Sequence, residues 1–322
     1  MAANFWSSTQ CHTWLLPPGT TLKARAEDLK YASAIDVAAL CAWCLNTISD
    51  LCVRLGAQQR VIATACMYFQ RFYVKNSYVT TDPIVVLVTC VYLASKVEEA
   101  PIRIRIVCAE ASKMMNERGY REMPNHVPLL AEMEYCLLEE LEFDLVVFHV
   151  YHLLPNLCEV CLNACKISSQ HSDTKDVMAS LLQMAWYIAN DMYRTHLPLE
   201  HPPYVLAVAC VYLALSISPT LRESLKVKFH GAFDEASPES DTIKFLASFN
   251  VSLPIVTRVI QDMLSQYQLW HTLAHPSSGS SLLTDHKTLL RRMYRMREDR
   301  CRAMHCLLYT SDAADERSSA DI

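Results

Sequence analysis

Cys90-Val91-Tyr92-Leu93-Ala94 returns letter for letter as Cys210-Val211-Tyr212-Leu213-Ala214, 120 residues further along the chain. The offset holds on the N-terminal side as well: Ala65 with Ala185, Tyr73 with Tyr193, Pro83 with Pro203, Val85 with Val205 and Val88 with Val208. Residues 61–97 lie on 181–217 without a gap and with ten identities. Self-similarity at one spacing marks two copies of a single structural unit. Each copy is then a control for the other, because a feature found in one copy alone is not demanded by the shared fold.

The pentapeptides sit in the two most apolar segments, 84–94 and 204–217. Both are shorter than the ~20 residues needed to span a bilayer. Each follows a proline suited to a first helical turn, Pro83 after the N-cap residue Asp82 and Pro203 after Pro202. The 322 residues include only five glycines, no two of them close together, which disfavours hairpins and points to helix. A helix that is apolar all round has to be enclosed by others. Helical patterns at 35–55, 58–74, 104–118 and 127–141 surround the first copy; 151–167, 177–193, 221–229 and 241–250 surround the second.

The expected fold is therefore all-α, with two tandem five-helix bundles, an N-terminal helix and a C-terminal helix or tail. The divisions are 1–33 (N-terminal helix and linker), 34–144 (first bundle), 145–270 (second bundle and a following helix) and 271–322 (tail). Six arginines between 291 and 302 suit either a short amphipathic helix or a solvated tail. Residues 306–316 resemble the in-frame translation of a transposase sequencing adapter, so 306–322 are left out of the fold reading.

Composition narrows the function. The chain carries 29 basic and 34 acidic residues, a net charge of −5, without the basic surplus that non-specific nucleic-acid binding requires. Widely spaced glycines exclude G-x-G-x-x-G and P-loop nucleotide sites, and no H-E-x-x-H or G-x-S-x-G is present. The fourteen cysteines lie mostly in apolar runs, as buried hydrophobes do in a reducing compartment. Cys158, Cys161 and Cys165, with His149 and His152 nearby, share a helix face; this reads as core rather than as a zinc site. No metal, no cofactor and no catalytic residue is expected.

The informative difference between the copies follows the pentapeptide. The first copy ends Ser95-Lys96-Val97-Glu98-Glu99-Ala100-Pro101, whereas the second ends Leu215-Ser216-Ile217-Ser218-Pro219. Lys96 suits the negative end of a helix dipole; Glu98 and Glu99 oppose it. A local rule broken in one copy only marks a candidate site, with solvated end-of-helix charges as the bland alternative. No nucleophile–base pair accompanies these residues, so binding is favoured over catalysis. A second candidate, Glu134, stands between Met133 and Tyr135 in the helical pattern that follows.

Residues 63–73 (Ala-Thr-Ala-Cys-Met-Tyr-Phe-Gln-Arg-Phe-Tyr), Asp82-Pro83 and 89–99 (Thr-Cys-Val-Tyr-Leu-Ala-Ser-Lys-Val-Glu-Glu) resemble the tandem boxes of the cyclin family. Residues 1–8 and 193–204 are similar to the cyclins of the Mediator kinase module. The resemblance covers about 1–270. It implies a nuclear regulatory subunit, not itself an enzyme, that binds a Mediator-type cyclin-dependent kinase and other kinase-module subunits. Direct nucleic-acid or membrane binding is not implied. Carried over residue by residue, it places Lys96, Glu134 and Glu99 at the kinase, and Trp6 and Glu98 at a groove for a Mediator subunit. It also sets the N-terminal helix near the first box. The rival readings are an elongation or cell-cycle cyclin with another kinase, a cyclin-box transcription factor that binds DNA, and a helical scaffold without a kinase.

Overall fold

The computed structural model describes residues 4–120, 127–164, 172–217, 251–275 and 285–318, without the side chains of 162–164, 172–175 and 305–318. The expected helices at 221–229 and 241–250, together with Cys165, lie outside these residues. The described chain is all-helical. It divides into two units: 18–145 with 270–322, and 1–17 with 146–269.

The first unit is organised around α5 (Pro83–Val97), which packs against α3 (Ala34–Arg54), α4 (Gln59–Lys75), α6 (Ile104–Glu117) and α7 (Val127–Glu140). The helix is set where local chemistry allows it. Asp82 is extended and accepts the Ile84 amide at 2.9 Å, and Pro83 fills the first position, where no N–H is needed. Eleven of the fifteen α5 residues are buried, among them Ile84, Leu87, Cys90 and Val91. Helix α3 has the length and apolarity of a membrane span, yet its apolar side chains, Leu40, Trp43, Ile48 and Leu51 among them, are buried in this bundle.

Arg71 on α4 is fully buried and donates to the Asp144 carbonyl at 2.8 Å. Tyr68 donates to the Leu145 carbonyl at 2.5 Å. Together they tie down the turn after α7, where Glu142 and Phe143 hold left-handed φ values of 55° and 60°. Burial lowers the Arg71 guanidinium to about 10, so it remains charged at neutral pH.

The tail is a packed element, which decides between the two readings open from sequence. Helix α13 (His286–Ser318) lies on α3, with Leu289, Leu290, Met293 and Met296 at most 5% exposed.

In the second unit α11 (Pro203–Ile217) takes the place of α5, packed on α8 (Leu154–Ala164) and α9 (Ser172–Met192). The repeat holds in burial at its centre: Cys90 and Cys210, and Ala65 and Ala185, are all fully buried. Helix α12 (Leu253–Ala274) adds Tyr267, whose hydroxyl donates to Asp191 at 3.1 Å. Cys158 and Cys161 face the core, and burial raises the Cys158 thiol to about 11. Among the described residues no three His, Cys, Asp or Glu side chains converge as metal ligands.

The short N-terminal helices, a 3-10 turn Phe5–Ser7 and α1 (Thr9–His12), also belong to this unit. Trp14 is 2% exposed, and Leu16 donates to the Leu199 carbonyl at 2.7 Å. Gln10 accepts the Phe148 amide at 2.6 Å. Phe5 meets Phe148 and Trp6 meets Tyr204 within the same unit.

Candidate partner-binding surface

The end of α5 is shaped by its C-cap. The Glu98 amide returns to the Ala94 carbonyl at 3.0 Å and the Ala100 amide to Ser95 at 3.0 Å, which wraps the last turn with Glu99 at φ 55°. Glycine normally fills such a left-handed position; an L-residue there costs roughly 1–2 kcal/mol. Backbone strain retained at a charged helix end suits a functional site. The buried Ser95 hydroxyl accepts the Ile102 amide at 3.3 Å and donates to the Tyr92 carbonyl at 2.7 Å, pinning the loop that Pro101 begins.

Four side chains that look alike in sequence have different surroundings. Lys96 forms an ion pair with Glu134 of α7, and its ammonium also lies 4.7 Å from the centre of the Tyr92 ring. Burial on its own would lower the Lys96 pKa, but the Glu134 carboxylate outweighs it and raises the pKa above the usual lysine value. Lys96 is 42% exposed and Glu134 is 14% exposed, so the pair is a held feature with its cationic end toward solvent.

Glu98 turns back to α4. It accepts the Thr64 hydroxyl at 2.6 Å and lies 3.7 Å from Arg60, with its side chain 12% exposed. Glu99 is exposed. Glu99 is thus the charge left free of a neighbouring helix at the end of α5, whereas Lys96 and Glu98 are anchored to α7 and α4.

Trp6 lies in the second unit. Its amide donates to the Asn4 side chain at 3.1 Å, and its ring is 5.6 Å from Tyr204 and 5.4 Å from Phe5. Phe5 in turn meets Phe148 edge-on at 5.6 Å. Trp6 keeps 58% of its surface exposed. Trp14, not singled out in the sequence, is the residue that fastens the segment; its position two residues before Leu16 and the Pro17-Pro18 pair was the available signal. Trp6 and Glu98 belong to different units.

Other exposed apolar residues escaped the sequence reading. Tyr135, next to Glu134, is 75% exposed, and Ile106 and Phe143 are 52% and 70% exposed. Of these, Tyr135 adjoins the ion pair in sequence; an apolar side chain there can bury area against a partner, while the pair sets orientation.

The model for the cyclin N-terminal domain matches residues 38–146. The RNA polymerase II holoenzyme cyclin-like subunit of Mycosarcoma maydis is 34% identical, over 93% of this chain and 96% of its own. Cyclin-C of Rattus norvegicus is 31% identical, over 88% of this chain and 90% of its own. Among solved structures, the CAK complex of Chaetomium thermophilum bound to ATP-gamma-S aligns with a TM-score of 0.60 at 17% identity, covering 91% of this chain and 88% of that one. Yeast TFIIK aligns with a TM-score of 0.56 at 19% identity, covering 80% and 100%. At those identities the structural matches bear on the fold alone.

Proposed function

The chain belongs to the cyclin family, and on that premise we propose that it is the regulatory subunit of a Mediator-type cyclin-dependent kinase acting on RNA polymerase II transcription in the nucleus. The printed names of its relatives, an RNA polymerase II holoenzyme subunit and Cyclin-C, support this reading. The observation that carries the surface assignment is the Lys96–Glu134 pair, which is formed in the first unit and has no counterpart at Ser216 in the repeat.

The protein contributes binding rather than chemistry. A kinase is active when the lysine of its third strand pairs with the glutamate of its αC helix. A cyclin surface that fits only that arrangement shifts the kinase population toward it. Taking such an equilibrium from 1:99 to 99:1 needs a difference in affinity of roughly 10⁴-fold. Lys96 has three N–H donors, and its bond to Glu134 leaves others to meet carbonyls at the end of a partner helix. Glu99, exposed at the strained cap, adds an acceptor beside it. Exposed charges of this kind orient the complex, and burial of Tyr135, next to Glu134, supplies area.

Trp6 is assigned to a Mediator kinase-module subunit. An aromatic ring that is more than half exposed yet fixed by Tyr204 and Phe5 suits an interface anchor.

The test is reconstitution. The chain, co-expressed with a Mediator-type kinase, is expected to co-purify one to one and to raise phosphorylation of an RNA polymerase II C-terminal-domain peptide at least tenfold. Failure to associate, or a clear preference for an elongation or cell-cycle kinase offered in parallel, contradicts the assignment.

A further inference from the structure

Helix α13 is held on one side and open on the other. Trp43, 2% exposed, donates its indole N–H to His286 Nδ1 at 2.8 Å. Arg292 pairs with Asp36 on α3, and Arg297 reaches Asp82, the N-cap of α5, at 2.9 Å. The Tyr294 ring stacks on Tyr120 at 5.8 Å with planes 10° apart. Leu289, Leu290, Met293 and Met296 are buried between these bonds. The helix is therefore fixed, and its opposite face is presented in a set geometry.

That face is basic. Residues 286–304 hold seven basic and two acidic side chains, a local charge of +5, so the rest of the chain carries −10 against a total of −5. The seven cations differ in their surroundings. Arg292 and Arg297 meet the carboxylates of the bundle. Arg302 pairs with both local acids, Glu298 at 3.5 Å and Asp299 at 3.8 Å. Lys30, with a smaller part from Arg300, holds the Glu27 carboxyl below its ordinary value. Lys287, Arg291 and Arg295 are exposed, and among the described residues no carboxylate lies within ion-pair distance of them. Asp285, just before the helix, is engaged in capping and accepts the Thr288 amide at 3.2 Å. The three cations stand four residues apart, so they line one face at steps of about 6 Å. Like charges at that spacing destabilise a helix, and no acid is interleaved to offset them. A row of this kind breaks a local rule and marks a candidate site.

We propose that the outward face of α13 is a docking site for a phosphorylated segment of another protein, with one phosphate held between Arg291 and Arg295 and Lys287 reinforcing the charge beside them. Two guanidinium forks one turn apart can share the oxygens of a single phosphate dianion, whereas the two oxygens of a carboxylate are taken up by one fork. The row is also short. A long nucleic acid would run past it, meet Glu298 and Asp299, and lie against a body of charge −10. A short phosphopeptide stays within the row, inside the ~8–10 Å over which charges act at moderate salt. The source of the phosphate rests on the kinase reading above. A complex that holds a segment it has already phosphorylated keeps the remaining sites of that chain at high effective concentration. The two surfaces do not compete: α13 meets α5 at Asp82, and Lys96 lies at the other end of α5, roughly 20 Å away along the helix axis.

The experiment titrates the full chain into a fluorescent peptide carrying two phosphoserines, at about 0.15 M salt. The controls are the same peptide without phosphate and a peptide with glutamate in place of each phosphoserine. The phosphopeptide is expected to bind at least tenfold more tightly than either control. Arg291→Gln with Arg295→Gln should abolish that preference and leave the melting curve unchanged, because both side chains are exposed. Arg291→Lys with Arg295→Lys keeps the charge without the fork and should still weaken binding several-fold. In the reconstituted kinase complex, a peptide phosphorylated beforehand at one site should show a lower KM than its unphosphorylated form. The glutamine pair should lose that advantage with the KM for the unphosphorylated peptide unchanged. Failure of the complex to form would contradict the kinase reading, and the titration alone then decides the phosphate site. The proposal is overturned if the phosphorylated and glutamate peptides bind alike, or if the glutamine pair keeps the preference. An RNA oligonucleotide of equal charge that displaces the phosphopeptide at lower concentration than the unlabelled peptide does would give the row to nucleic acid and overturn it as well.

Discussion

Arg71 and Lys96 show how one positive charge can serve two ends. Arg71 is fully buried, its charge held by the turn after α7. Arg71→Ala removes charge-assisted hydrogen bonds and leaves a void, at a cost of about 3 kcal/mol. A fall of roughly 5–10 °C in Tm is expected for the first unit; an unchanged melt would remove Arg71 from its structural role. Lys96 is half in solvent and its ion pair adds at most about 1 kcal/mol to stability. The same contrast separates the two tryptophans. Trp14→Ala is expected to cost about 3–5 kcal/mol in a denaturant titration. Trp6→Ala should stay within about 1 kcal/mol because most of its surface is already exposed.

Helix α13 carries the pH prediction at the scale of elements. Burial lowers the His286 pKa below its ordinary value, and Arg118 lowers it further, against the opposing effects of Asp50 and Asp285. The neutral ring is the form that accepts from Trp43. A base with a depressed pKa in the docked state contributes stability fully above its free value near 6.5, and loses it as pH falls through the docked value. Docking of α13 should therefore loosen as pH drops from 7.5 toward 5.5, read as faster proteolysis within 276–284 and increased solvent quenching of Trp43 fluorescence. The His286→Phe variant should lose that pH dependence; if it keeps the wild-type profile, another group is responsible.

Much of the element layout was legible in advance, for identifiable reasons. The helices α3 to α7 begin and end within three residues of the expected patterns, because caps such as Asp82-Pro83 and stops such as Pro101 are local chemistry. The repeat located α11 by the same logic. The seating of α13 was not legible: its partners Asp36, Trp43 and Asp82 lie more than 200 residues away, and no local pattern records a tertiary contact at that distance. The direction of Glu98 was hidden in the same way. Two adjacent glutamates read alike in sequence, and only Thr64 on another helix separates the anchored one from the exposed one.

For the whole molecule, the duplication provides one scaffold twice and lets the ends of the central helices diverge. Trp6→Ala should leave kinase binding unchanged while lowering activation by the accessory Mediator subunit by several-fold; unchanged activation would remove Trp6 from that interface. The most direct test of the kinase surface exploits the ion pair itself. Lys96→Glu with Glu134→Lys rebuilds the pair in reverse, so the fold is kept while the charge offered to a partner is inverted. The account predicts an unchanged melting curve, at least tenfold weaker association with the Mediator-type kinase, and proportionate loss of stimulated activity. A double variant that binds and activates the kinase like the wild type would contradict it.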